Sequence, residues 1–335
     1  MDKLALFIQT YPVIDTVMAF ALALAVTAVL LYAFIPVLRK AKLGQRILEI
    51  GPNWHKSKEG TPTMGGLFFI IAIVASVVLF LPSGFGRESR FIWISLAFAG
   101  VNALIGFIDD YVKLFRKRNK GLSAPSKLLL QLVAATAYIG VLAYMGVITT
   151  RINGIVFDFS FDAGLFTYVL YILAIVYYIN GANFTDGIDG LAGSVNLVIV
   201  VMFFILSVYS EDARLGVASA AAAGGLVGFL IFNFYPAKVF MGDTGSLFLG
   251  GLTAALAIYC GCPTLLYIFG FVHVFEALSV VLQVGSYKLT GKRIFKMSPI
   301  HHHFEKCGWS ELRIVGVFSL VTALLCALCC WLYVR

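Results

Sequence analysis

The stretch 91–113, FIWISLAFAGVNALIGFIDDYVK, runs eighteen residues without a charge and then places Asp109, Asp110 and Lys113 within five. A helix needs about 20 apolar residues to cross the ~30 Å hydrocarbon core of a bilayer, so this stretch reads as a membrane span. Its acids then fall at the membrane boundary, where a carboxylate is costly unless solvated, paired or metal-bound. Neighbours on a helix point about 100° apart, so Asp109 and Asp110 are not expected to grip one ion while the helix stays regular. Asp109 and Lys113, four apart, share a face. One carboxylate could hold a metal or an attacking group while the other orients or neutralises; a helix-end salt bridge is the plain alternative.

Outward from this stretch the same texture repeats. Apolar runs that could span fall near 17–38, 64–81, 91–108, 128–147, 165–179, 192–209, 216–234, 246–259, 265–284 and 314–334. The composition agrees: 60% hydrophobic and only 13% charged, with mean hydropathy +0.93, far from the ~25% charge of soluble domains. The expected fold is therefore an all-α polytopic membrane protein, with residues 1–335 forming one integral membrane domain of about ten helices. No cleavable signal peptide is expected before the first run, because Met1–Asp15 lacks a basic region followed by a short apolar stretch and a small-residue site.

Ten spans put both termini on one side. Loops 39–62, 109–127, 235–245 and 285–313 hold 19 of the 25 Lys and Arg residues, and the loop 180–191 between spans on the same side holds none. Basic loops stay inside, so these loops face the cytoplasm and both termini lie outside. That placement accounts for the net charge of +8 without nucleic acid, and a basic rim attracts anionic headgroups and phosphorylated substrates. On the outer side, Thr149–Asp162 carries an Asn-Gly pair between alternating β-formers and reads as a short periplasmic hairpin. The six cysteines show no zinc spacing; Cys260 and Cys262 flank a tight turn, and Cys326, Cys329 and Cys330 read as small apolar residues in lipid.

The remaining acids cluster on the basic side: Asp186 and Asp189 after the fifth span, Asp243 before the eighth. With Asp109 and Asp110 they point to a hydrophilic cleft open to the cytoplasm; isolated interfacial acids are the bland alternative. In Asn180-Gly-Ala-Asn183-Phe-Thr-Asp186-Gly-Ile-Asp189-Gly190-Leu191, polar groups recur every third residue among three glycines. A three-residue spacing drifts about 60° per step on a helix, so a break at Gly187 is expected if all four groups line one site. Such amides and carboxylates suit a sugar, a base or the support of a metal. In Asn233–Ser246, NFYPAKVFMGDTGS, Ser246 is expected to cap the next helix, whose free N–H groups favour an anion. Gly242 and Gly245 allow close backbone approach, Asp243 is a natural oxygen ligand for phosphate-bound Mg²⁺, and Phe240 could stack on a base.

Two further strings complete the set. His301, His302 and His303 read as a loop beside Lys288, Lys292, Arg293, Lys296 and Lys306. Successive histidines fan out on any regular backbone, so donors to a phosphate or sugar fit better than a tris-His metal site. Lys56, Lys58, Thr61 and Thr63 before Gly65-Gly66 could hold a pyrophosphate. In the ninth span His273, Glu276 and Gln283 must face the bundle or a cavity.

Taken together, GTPTMGG (60–66), DDYVK (109–113), NFTDGIDGL (183–191), FMGDTGSL (240–247) and SPIHHHFE (298–305) resemble the family of phospho-N-acetylmuramoyl-pentapeptide translocases. The aspartate motifs are shared with the wider polyprenyl-phosphate N-acetylhexosamine-1-phosphate transferases; GTPTMGG and HHHFE are what resemble the muramoyl-pentapeptide branch. The resemblance implies ten spans in a bacterial inner membrane, a cytoplasmic cleft, Mg²⁺, and UDP-MurNAc-pentapeptide and undecaprenyl phosphate as substrates. It makes Asp243 the Mg²⁺ ligand and has Asp109 or Asp110 orient or deprotonate the lipid phosphate. It gathers Lys58, Asp189, Gly190, Leu191, Asn233 and Phe240 around the uridine, with Thr63, Asn183, Asp186, Gln283 and His301–His303 nearby. Lys113 and Lys127 would neutralise charge in phosphoryl transfer, a reaction dominated by positioning and electrostatics. Expected partners are the two substrates and membrane lipid, with a homodimer as an open alternative to a single copy, and no nucleic acid. The competing readings are a related transferase for another UDP-N-acetylhexosamine and a secondary transporter. Transporters place substrate groups near the midplane between paired repeats, whereas these carboxylates crowd one face.

Overall fold

The computed structural model describes residues 13–40, 58, 60–82, 84–115, 121–154, 159–261 and 263–334. Lys56 and Cys262 lie outside them, as does the 116–120 part of the basic loop. The helices are α1 Val13–Lys40, α2 Gly66–Phe80, α3 Arg90–Phe115 and α4 Ala124–Tyr144, followed after two short strands by α5 Phe166–Thr185, α6 Leu191–Tyr209, α7 Ala213–Asn233 and α8 Gly242–Tyr259. After a short helical segment come α9 Phe271–Thr290, α10 Ile300–Lys306 and α11 Glu311–Val334. All ten apolar runs of the sequence lie on helices. Seven of these are long and apolar enough to cross a membrane, or eight if the pair Pro263–Phe269 and Phe271–Thr290, bent by 78°, is one span. Among the described residues the count of ten is thus not reached on length and composition: α2 has only 15 residues, and α8 opens with the polar turn Gly242-Asp243-Thr244. The molecule is a multi-pass, all-α membrane protein.

Local chemistry sets several helix starts. Ser123 accepts the Ser126 N–H and Pro125 occupies the first turn of α4, a favoured start. Asp212 caps α7 by accepting the N–H groups of Arg214 and Leu215. The strands β1 Arg151–Gly154 and β2 Phe159–Asp162 pair antiparallel, with Asn153 opposite Ser160 and Gly154 opposite Phe159. Asn153-Gly154 therefore ends β1 instead of standing between the strands, and residues 155–158 lie outside the described residues.

Packing follows membrane rules, in which small residues let backbones approach. The Ala-Gly run of α7, Ala220–Gly225, is fully buried. The crossing of α3 and α8 depends on Gly106, where a Cβ would collide with the carbonyl of Asp243. Phe69, Phe229 and Phe248 fill the centre, the first two edge-to-face at 5.3 Å. Large apolar side chains such as Ile14, Tyr32, Leu79, Leu129 and Leu324 stay exposed, the expected dress of a lipid-facing rim. The consequence for function is that the ends of α3, α5 and α8 meet on one side.

Candidate active site

Helix α3 continues unbroken through Asp109 and Asp110 to Phe115. Their carboxylates nevertheless converge: Asp109, Asp110 and Asp243 each offer an oxygen within 4.8 Å of the others. This corrects the expectation of divergence on a regular helix. Asp243, brought in by α8, is the third member of the group, and its own N–H is held by Asp110.

Asp110 is 3% exposed and acts as a cap supplied from another helix. Its Oδ1 accepts the Asp243 N–H at 3.2 Å, and its Oδ2 accepts the Thr244 N–H at 2.9 Å and the Thr244 hydroxyl at 2.7 Å. The anion that the head of α8 attracts is thus Asp110 itself. Ser246, expected as the cap, sits on the second turn, donates to the Gly242 carbonyl and accepts from the Asn183 amide. Gly242 makes the approach possible: its φ is +72°, and a Cβ there would stand 2.6 Å from Asp110 Oδ2 and 2.9 Å from the Thr63 hydroxyl.

Asp109 accepts the Leu122 N–H at 2.6 Å and pairs with Lys113 at 2.5 Å. Asp243 Oδ2 receives Lys113 at 3.0 Å and Lys127 at 2.8 Å, while its Oδ1 accepts the Asn183 amide at 3.0 Å. Lys127 also donates to Asn183 Oδ1 at 2.9 Å. Three carboxylates face two ammonium groups here, so the cluster keeps an excess of hard, anionic oxygen. That donor set suits a divalent metal such as Mg²⁺. Asp186 caps the C-terminus of α5 beside this cluster. Among the described residues its carboxylate has no hydrogen-bond or ion-pair partner, and desolvation, reinforced by Asp243 and Asp110, holds it well above the ordinary carboxylate range.

The break between α5 and α6 covers Asp186–Gly190, with Gly190 at φ +77°, and so includes Gly187. Asn233 braces it, accepting the Gly190 N–H and donating to the Val239 carbonyl; Leu191 beneath is fully buried. Backbone bonds Phe240 N–H to Pro62 O, Gly65 N–H to Phe240 O and Gly66 N–H to Met241 O join the 60–66 motif to the 240–247 motif. Phe240 is half-buried there. Lys58 pairs with Asp189 at 2.7 Å and with Glu311 at 2.6 Å.

Other expected residues stand further out. Asn180 donates to Gln131 Oε1 and to the Val176 carbonyl. Gln283 is satisfied by backbone, donating to Phe295 O and accepting from the N–H groups of Ile294 and Phe295. The histidines lie on the short helix α10 rather than in a loop, since Pro299 opens a helical turn. They do fan out. His301 turns inward to Glu276 at 3.1 Å and presses against Gly187; His302 pairs with Glu305 at 2.5 Å; His303 accepts the Lys296 N–H. Thr244, Gln131 and Glu311 were not anticipated: Thr244 stood inside a quoted motif, while the other two carry no local signal.

Comparisons bear on this arrangement. A family model described as Glycosyl transferase family 4 matches residues 91–261. One described as phospho-N-acetylmuramoyl-pentapeptide-transferase signature 1 matches residues 58–70. A phospho-N-acetylmuramoyl-pentapeptide-transferase of Clostridium beijerinckii is 43% identical over 297 residues, 88% of this chain and 89% of its own. The proteins of that name from Clostridium novyi and Caldanaerobacter subterraneus subsp. tengcongensis are 45% and 44% identical over 87% and 86% of this chain, and 89% of each relative is covered. A match of that depth, running through every segment that meets at the acidic cluster, means that this chain belongs to the phospho-N-acetylmuramoyl-pentapeptide-transferase family.

Proposed function

We propose that the protein transfers phospho-MurNAc-pentapeptide from UDP-MurNAc-pentapeptide to undecaprenyl phosphate, releasing UMP, in peptidoglycan synthesis. The observation that carries this reading is the Asp109–Asp110–Asp243 cluster, knotted to Lys113 and Lys127, in a chain with relatives of that name. An oxygen of the lipid phosphate attacks the phosphorus that bears the sugar, the P–O bond to UMP breaks, and a pyrophosphate forms. The protein's task in such a transfer is positioning and charge neutralisation.

Asp243 would hold Mg²⁺, which when bound supplies Lewis-acid neutralisation of the diphosphate, with the neighbouring carboxylates adding negative charge around it. Lys113 and Lys127 balance the developing charge. Asp110 is committed to the head of α8 by three donors, which leaves Asp109 to orient the lipid phosphate or take its proton. Lys58, Asp189, Gly190, Leu191, Asn233 and Phe240 form the nucleoside end, and Thr63, Asn183 and Asp186 lie between it and the cluster. The full topology in this reading is ten crossings of the inner membrane with the site facing the cytoplasm and β1–β2 facing the periplasm. The distribution of basic residues supports it.

The test is UMP release by purified protein given undecaprenyl phosphate, Mg²⁺ and competing UDP-sugars. Turnover is expected with UDP-MurNAc-pentapeptide and to stop on chelation. Comparable rates with UDP-GlcNAc would overturn the muramoyl-pentapeptide assignment. Sidedness is checked in intact cells by labelling cysteines placed at 120 and 214 in a variant lacking Cys307; only the second should react.

A further inference from the structure

Glu311 is the first residue of α11, the last helix, and belongs to none of the motifs that mark the site. Its Oε2 accepts the Lys58 ammonium at 2.6 Å and the Asp189 N–H at 3.1 Å. Lys58 meanwhile donates to Asp189 Oδ1 at 2.7 Å, and Asp189 Oδ2 accepts the Ala237 N–H at 2.8 Å. One carboxylate oxygen thus ties together the pre-α2 segment, the turn between α5 and α6 and the head of α11, and Asp189 extends the knot to the α7–α8 loop.

The node is largely enclosed, with the side chains of Lys58, Glu311 and Asp189 only 15%, 12% and 2% exposed. Charge-assisted bonds in such a setting are short and strong. An ammonium already gripped by two carboxylates is not a spare donor for a diphosphate; its arrangement fixes the shape of the pocket. Among the described residues, no hydrogen bond joins this node to Asp109, Asp110 or Asp243. Its influence therefore falls on binding and not on the chemical step.

We infer that Glu311 is a positioning residue for the nucleotide-sugar, acting through Lys58 and the 186–190 turn. This rests on the proposed function. A neutral amide at 311 keeps an acceptor but takes the charge out of both bonds, and an apolar group removes the acceptor altogether, so the nucleoside end of the site loosens while the aspartate cluster stays intact.

The experiment is a kinetic cycle on the full-length protein in detergent with undecaprenyl phosphate and UDP-MurNAc-pentapeptide. Glu311→Gln is expected to raise KM for the nucleotide-sugar about tenfold, the worth of one charge-assisted bond, with kcat within about twofold. Glu311→Asp, which keeps the charge on a shorter arm, should give an intermediate KM and serves where the amide variant does not fold. In a Lys58→Met background, Glu311→Gln should add little, because residues acting through one another are not additive. A fall in kcat at constant KM, additive effects on KM, or a lower melting temperature with unchanged KM would each overturn the inference. If the wild type fails to release UMP from this substrate, the proposed function fails instead.

Discussion

Two aspartates accept the free N–H groups at helix starts, Asp212 from the position just before its own helix and Asp110 from a different helix. Asp212 stands directly before α7, takes the N–H groups of Arg214 and Leu215, pairs with the Arg214 guanidinium and accepts the Tyr259 hydroxyl at 2.6 Å. Each of these partners donates to it, and among the described residues the Arg214 guanidinium is shared only with the exposed Glu88. Asp110 caps α8 from 133 and 134 residues away, next to two more carboxylates that only two lysines oppose. The first cap stabilises one helix. The second couples two motifs and leaves an excess of negative charge, an arrangement that folding alone would not favour. Strain of that kind marks where a ligand is to bind.

The sharpest way to break the contrast is to neutralise one carboxylate in each cluster. Asp243→Asn should abolish measurable UMP release while the protein stays folded, since losing several kcal/mol of charge stabilisation costs about 10³-fold in rate. Asp212→Asn should retain turnover. Near-normal activity for Asp243→Asn at ordinary magnesium would remove the metal assignment.

Next in size is the comparison of the caps. Asp212→Ala should cost about 1 kcal/mol of stability and nothing in kcat. Asp110→Ala should cost at least that, and turnover should also fall by about 100-fold or more because the Asp243 backbone loses its anchor. If melting and turnover assays gave the two variants the same profile, the distinction between local and tertiary caps would be lost. Gly242→Ala tests the same anchor by a gentler route: its left-handed φ and the nearby Asp110 oxygen should lower stability by roughly 1–2 kcal/mol, read as a drop in melting temperature.

The smallest effect concerns Asp186, whose carboxyl is raised by desolvation. A raised carboxyl binds its proton more tightly folded than unfolded, so it destabilises the fold above its folded value and stops doing so below the ordinary value of about 4. Asp186→Asn should therefore melt a few degrees higher than wild type near pH 8, with the gap closing on acidification, even as activity falls. A variant that melts lower at every pH would contradict this.

The helices were legible because lipid demands long uncharged runs, and all ten runs lie on them. Their ends were less so. The 91–108 run stops at the first acid, whereas α3 continues to Phe115, since nothing in an Asp-Asp pair ends a helix. The break beyond Thr185 was visible in its glycines. What the sequence concealed are relations between distant segments. Asp110 as a cap, Glu311 on Lys58 and His301 on Glu276 each join residues at least 25 apart. A glutamate opening a helix reads locally as ordinary dipole compensation, and Ser246 looked like a cap because its competitor lay on α3.

The bond between Lys58 and Glu311 also sets a schedule for biogenesis. The two residues are 253 positions apart, and at about 5–20 residues per second a ribosome needs roughly 13–50 s to supply the second after the first. Throughout that interval the earlier helices are already being inserted, and the lysine waits at the membrane boundary without one of its counterions. The Lys58–Asp189 pair therefore gains its third member only when the start of α11 has been made, so a nascent chain short of Glu311 holds its nucleotide pocket by the earlier contacts alone.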